Sequence, residues 1–167
     1  MELPQDDRRV LLLGLLAAVL MGSIVYSFML PRLAVGNVLR NTEVTGYSVF
    51  QRDVEHRQTT LIVNVVVGNP SAIPITVTNI SAKVLVDGRD YGSLSTSGTT
   101  GTVAPHMSSL YQKFVQIRGS PLSREEIPQE SYDLRIIVEL TCMGRTPLSR
   151  SVRTGEVILY TTWPQTS

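Results

Sequence analysis

Cysteine is nearly missing from this chain. Cys142 is the single one in 167 residues, so no internal disulfide can form. That excludes a small secreted domain stapled by bridges. Histidine is almost as scarce. His56 and His106 stand fifty residues apart in unrelated polar segments, and no GxSxG, Walker or HExxH pattern accompanies them. Both read as surface side chains. Cys142 ends an alternating segment and reads as an inert, buried or half-buried thiol, with nothing basic framing it except Arg145. Two histidines and one cysteine cannot close a zinc site without carboxylates. In Asp87-Gly88-Arg89-Asp90 an arginine separates the acids, which makes a plain turn rather than a calcium loop. No catalytic residue, metal or cofactor is therefore expected. Excess charge is lacking too. The formal net charge is +1, with −1 on residues 1–30 and +2 on the rest, so no basic face marks a nucleic-acid binder.

Long apolar character is present, and only once. Val10 to Leu30, VLLLGLLAAVLMGSIVYSFML, is 21 residues without a charge. As a helix it spans about 31 Å, close to a bilayer hydrocarbon core. It exceeds the usual length of a signal-peptide core. Ala34-Val35-Gly36 nevertheless has the small-x-small form of a cleavage site, so a removed leader stays as the rival to a retained anchor. No lipid-attachment cysteine follows the run. Arg8 and Arg9 abut its start, and the tail before it is very short. Both favour an inside N-terminus and an extracytoplasmic domain. Tyr26 and Phe28 suit an interfacial aromatic belt. Gly14, Gly22, Ser23 and Ser27 lack a clean GxxxG spacing and read as ordinary lipid-facing residues.

From Leu33 the helical pattern stops in this reading. Residues 31–42 are taken as a juxtamembrane connector and residues 43–167 as one β domain, behind a cytoplasmic tail at 1–9 and a transmembrane helix at 10–30. Short β-branched segments separated by Gly, Pro, Asn and Asp mark the domain. Strands are expected at Glu43–Phe50, with Gly46 as a bulge, and at Thr60–Val67, with Leu61, Val63, Val65 and Val67 on one face. Pro70 and Pro74 end that strand and mark an edge or a crossing. Ile80–Val86 and Arg89–Leu94 read as a hairpin about Asp87-Gly88. Ser95–Thr102 is a polar loop, and Ser109–Ile117 a strand. Ser123 and Glu126 suggest a capping box for a short helix limited by Pro128. Leu134, Ile136, Val138 and Leu140 face inward along Tyr132–Thr141, and Met143-Gly144-Arg145 turns the chain. Pro147–Thr154 and Glu156–Thr162 complete seven or eight strands, the spacing of a sandwich. Asn79-Ile80-Ser81 is a glycosylation sequon, relevant only in a glycosylating compartment.

The stretch LIVNVVVGNPSAIPITVTNISAKVLVDGRDYGS resembles the late-embryogenesis-abundant type 2 family, also called the water stress and hypersensitive response domain. Asn69, Pro70, Ile73, Ile75, Gly88 and Gly92 occupy matching places, and the likeness extends over about residues 43–162. It implies an immunoglobulin- or fibronectin-like all-β sandwich without enzyme activity, commonly behind one transmembrane helix. It also implies a stress-protective, envelope or lipid-related role. The long Ser/Thr/Gly loop departs from the pattern. The expected function is a membrane-anchored binding module that uses a sandwich end or an apolar groove between the sheets, its partner a lipid or another envelope protein. The alternative is a structural part of a cell-surface assembly, appendage- or stator-like, joined through the sandwich.

Overall fold

A computed structural model describes residues 5–91, 94–95, 101–124 and 131–163. Gly92, Glu126, Pro128 and most of the polar loop lie outside the described residues.

Helix α1 runs without a break over Gln5–Arg40. The segment Arg9–Arg40 is long and apolar enough to cross a membrane. The expected connector at residues 31–42 is therefore corrected: all of it up to Arg40 is helix, with Pro31 inside. The reason lies in the spacing after the proline. Pro31, Ala34, Val35 and Val38 are buried, while Arg32, Leu33, Asn37 and Arg40 are exposed. Half-buried Ser27 and Leu30 begin the same stripe one turn earlier. Intervals of three and four put these side chains on one helical face. That face has a β-sheet to bury itself against, which offsets the hydrogen bond a helical proline removes.

After α1 come β1 (Thr42–Asp53), β2 (Gln58–Asn69), β3 (Ile75–Val86), β4 (Arg89–Asp90), β5 (Leu94–Ser95) and β6 (Gly101–Val103). Then follow β7 (Met107–Arg118), a 3-10 turn at Pro121–Ser123, β8 (Tyr132–Arg145) and β9 (Arg150–Trp163). The expected all-β sandwich is observed as two antiparallel sheets. One has the order β1-β2-β7-β5; the other is β4-β3-β8-β9, with β6 also on β3. The register of β1 slips between Val44 and Gly46, where the bulge was expected.

The inward rows alternate as the sequence indicates. Leu61, Val63, Val65 and Val67 of β2 are fully buried, as are Ile136, Val138 and Leu140 of β8. Val35 and Val38 of α1 belong to the same core. Backbone approaches here are close: a Cβ on Gly144 would lie 3.0 Å from the Pro31 carbonyl oxygen, and one on Gly155 would lie 3.1 Å from a Leu39 methyl. Glycine at these two places in β8 and β9 lets the helix lie against the hairpin.

Three local expectations are corrected. β8 does not turn at Met143–Arg145; it continues to Arg145, and Thr146–Ser149 makes the turn, because Gly144 is needed flat under the helix. Of the one or two strands expected after that turn, one is observed, in agreement. The expected strand Arg89–Leu94 divides, with Arg89–Asp90 on β3 and Leu94–Ser95 on β7 in the other sheet. Ser123 does not open a helix. It ends the 3-10 turn, and its buried hydroxyl lies 2.9 Å from that of Thr59.

Candidate functional site

The motif residues divide between the two ends of the sandwich. Asn69, Pro70, Ile73 and Ile75 lie together where β2 crosses to β3. Asn69 is 1% exposed. Its amide nitrogen shares its two hydrogens among the carbonyls of Ile73 at 2.9 Å, Val103 at 3.0 Å and Ala104 at 3.2 Å. Its oxygen accepts from the Ser71 amide at 3.1 Å and from the Ser71 hydroxyl. A buried amide satisfied on both sides fixes a crossing that Pro70 and Pro74 keep out of either ladder. The asparagine thus ties β2, the start of β3 and the turn after β6 into one knot. Ile75 opens β3 fully buried.

The helix reaches this same end. Gly68 donates its amide to the Asn41 carbonyl at 2.9 Å, and the Thr42 hydroxyl donates to Val38 at 2.8 Å. A shallow cavity of about 310 Å³ beside the joint is lined by Asn41, Asn69, Pro70, His106 and Met107.

Sequence reasoning missed the second half of the joint. Pro31 has no amide hydrogen, so the Ser27 carbonyl four residues earlier loses its helical donor. The Thr146 hydroxyl, in the β8–β9 turn, donates to that oxygen at 3.0 Å. The Ser149 hydroxyl approaches the Phe28 carbonyl at 3.5 Å. The turn itself is closed by the Thr146 amide on the Ser149 carbonyl at 2.8 Å. A proline in an apolar helix with a Thr-Pro-Leu-Ser turn downstream is a faint signal, visible only once the two are adjacent.

The other expected residues are elsewhere. Gly88, with φ 75°, completes the β3–β4 turn at the far end with Asp87 at φ 48°. Both angles suit the tight hairpin expected there. Asn79 sits half-buried in β3 beside a bulge, opposite Thr141 of β8. Arg9 is exposed near the helix start; the Arg8 side chain lies outside the described set. His56 pairs with Asp53 at 2.8 Å in the exposed β1–β2 turn; the His56 backbone amide, donating at 3.0 Å, and then the ring hold the Asp53 carboxyl below its usual range. His106 occupies the β6–β7 turn at the opposite end, so the structure does not bring the two histidines together. Burial pushes the Cys142 thiol up to about 11. Among the described residues no cluster of three metal-ligating side chains occurs.

Three further features were not anticipated. Lys113 of β7 points inward opposite Val63 and is 1% exposed, which lowers its pKa by desolvation. A polar cavity of about 360 Å³ at the far end is lined by Arg57, Tyr91, Ser120 and Arg124. The outer face of the first sheet carries an apolar stripe. Phe50 and Phe114 meet edge to face at 5.3 Å, next to exposed Leu110 and half-buried Ile62 and Val66. The apolar residues on both faces of β2 therefore do not line an open groove between the sheets. One set fills the core and the other faces outward.

No described protein family matches the sequence, and no curated protein does. Solved structures do resemble the fold. A protein from Archaeoglobus fulgidus is 14% identical, with a TM-score of 0.47 over 75% of this chain and 98% of that one. A protein from Arabidopsis thaliana is 19% identical, with a TM-score of 0.39 over 71% and 80%. A late embryogenesis abundant protein is 17% identical, with a TM-score of 0.33 over 83% and 85%.

Proposed function

We propose that this chain is a single-pass membrane protein whose sandwich is a non-catalytic binding module of the late-embryogenesis-abundant type 2 kind. One observation carries the reading: the apolar helix and the sandwich are a single packed unit. A detachable leader has no need to supply core residues, yet cleavage after Gly36 would remove buried Ala34 and Val35. The knot at Asn69 gives the family-like Asn-Pro pair a structural use. In this reading Arg8 and Arg9 hold the N-terminus inside, the sandwich stands outside, and its role is upkeep or stress protection of that membrane.

The test uses the full chain in its host membrane. Resistance to alkaline carbonate extraction and co-flotation with vesicles are expected, and digestion of the sandwich by protease added to intact cells. Release by carbonate defeats the anchor; protection from protease in intact cells defeats the assigned side.

The stripe of Phe50, Phe114 and Leu110 favours a second reading, in which the sandwich associates with further copies in an envelope assembly. Light scattering of the detergent-solubilised full chain separates them. A monomer supports the binding module, and a defined oligomer supports the assembly.

A further inference from the structure

The β8–β9 turn is placed where only a bilayer surface can meet it, if the helix crosses a membrane. Ser27 and Phe28 lie inside the uncharged run Val10–Leu30. Ser27 is three residues before the end of that run, or about 4.5 Å along the axis at 1.5 Å per residue. The turn that grips their carbonyls is therefore level with the outer margin of the hydrocarbon, not above it. The side chain at its tip agrees. Leu148 is 55% exposed.

The charge around it agrees as well. Arg145 and Arg150 flank the turn and are exposed, and exposed Arg32 follows the apolar run on the helix. From Leu140 to Gly155 the chain carries three arginines and no acid. Overall the molecule is nearly neutral, so this end is distinctly basic. Guanidinium groups beside a lone apolar side chain suit the phosphate layer above an acyl region.

We infer that the turn Arg145–Arg150 is a second membrane contact, inserting Leu148 among the lipid chains while Arg145 and Arg150 engage headgroup phosphates. The inference rests on the anchor reading and adds to it. The helix alone would leave the sandwich free to tilt as a body; a second contact, roughly one hairpin width from the axis, sets its rotation against the bilayer.

The experiment uses the full chain with Cys142→Ala and one new cysteine, at Leu148 or at exposed Glu55 in the β1–β2 turn of the far end. Each is labelled with an environment-sensitive nitrobenzoxadiazole dye and reconstituted in vesicles of phosphatidylcholine and phosphatidylglycerol. Flotation is scored first, then quenching by lipids bearing a nitroxide on the acyl chain. The expected result is blue-shifted emission and several-fold stronger quenching at position 148 than at position 55. Equal, weak quenching at both positions in protein that floats overturns the contact and leaves the anchor standing. Failure to float removes both. Leu148 is exposed, so its replacement leaves the fold intact; unchanged Trp163 emission confirms this in each sample.

Discussion

Replacing Thr146 with valine keeps the side-chain shape and removes the hydroxyl that donates to the Ser27 carbonyl at 3.0 Å. With Pro31 four residues on, that carbonyl has no helical donor to fall back on. A stranded acceptor costs about 1–3 kcal/mol, and the half-buried position of Thr146 argues for the lower part, about 1–1.5 kcal/mol. The same hydroxyl also accepts from the Ser149 amide at 3.1 Å, and that loss is local to the turn. A second substitution separates the two effects. Pro31→Ala restores an amide hydrogen that can bond Ser27 along the helix. In that background Thr146→Val should cost only the local share, about 0.5 kcal/mol. The double-mutant cycle then gives a coupling of about 1 kcal/mol. Trp163 reports unfolding without a label: it is the one tryptophan, 5% exposed, with the Arg52 guanidinium 4.7 Å from its ring centre. Urea titration of the full chain in micelles should show a midpoint lowered by about 0.75 M for Thr146→Val with Pro31 present, taking a slope near 2 kcal/mol per molar. An equal midpoint loss with proline or alanine at 31 refutes the claim that the turn replaces the bond the proline removes.

Three other outcomes follow from the same contacts. Val35→Ala should lower stability by about 2 kcal/mol in the same titration, as for a fully buried side chain, whereas Leu20→Ala in the exposed run should leave the Trp163 transition unmoved. Asn69→Asp keeps the acceptor but loses the amide donor to three carbonyls, at about 3 kcal/mol. Protonation returns one donor, so the gap to the parent protein should narrow in melts at pH 4 compared with pH 7. Burial pushes the Cys142 thiol from 9.0 up to about 11 and the Tyr47 phenol from 10.0 up to about 12. The unfolded chain gives up these protons first, so stability is full below pH 9 and falls as pH rises through the window to about 11 and then 12. Melting temperature against pH should show that fall, and Cys142→Ala should flatten its first part.

The sheets were legible because their signal is periodic and local. Alternation along β2 and β8 placed eight core side chains correctly, and Asp87-Gly88 marked its own turn. The sandwich ends were less legible, because pairing there is decided by distant residues. Nothing within Met143–Arg145 indicates that Gly144 must lie flat under a helix more than a hundred residues earlier. The helix end was misread for a similar reason. Pro31 is a sound stop signal in an isolated helix. Ala34, Val35 and Val38 nonetheless kept the spacing of a buried face, and that was the available clue. The knot at Asn69 was located by motif but not explained by it. Its function as a five-bond hub depends on Val103 and Ala104, which the sequence leaves more than thirty residues away.

The change from flexible connector to docked helix alters what the module can do. Ten or so extended residues would let a sandwich roam about 30 Å from its anchor. A helix whose last turns are core has no such reach, and the sandwich moves with it as one body. Any partner must then approach a fixed set of faces: the stripe of Phe50 and Phe114, or the polar cavity about Arg57 and Arg124. It also follows that anchor and domain cannot be exchanged as independent parts. A fragment starting at residue 37 lacks Ala34 and Val35 and exposes the core they cover, so its behaviour reports on a damaged sandwich. A cut placed before Ser27 keeps the stripe, the proline and its partner in the turn, and is the shortest division that the packing allows.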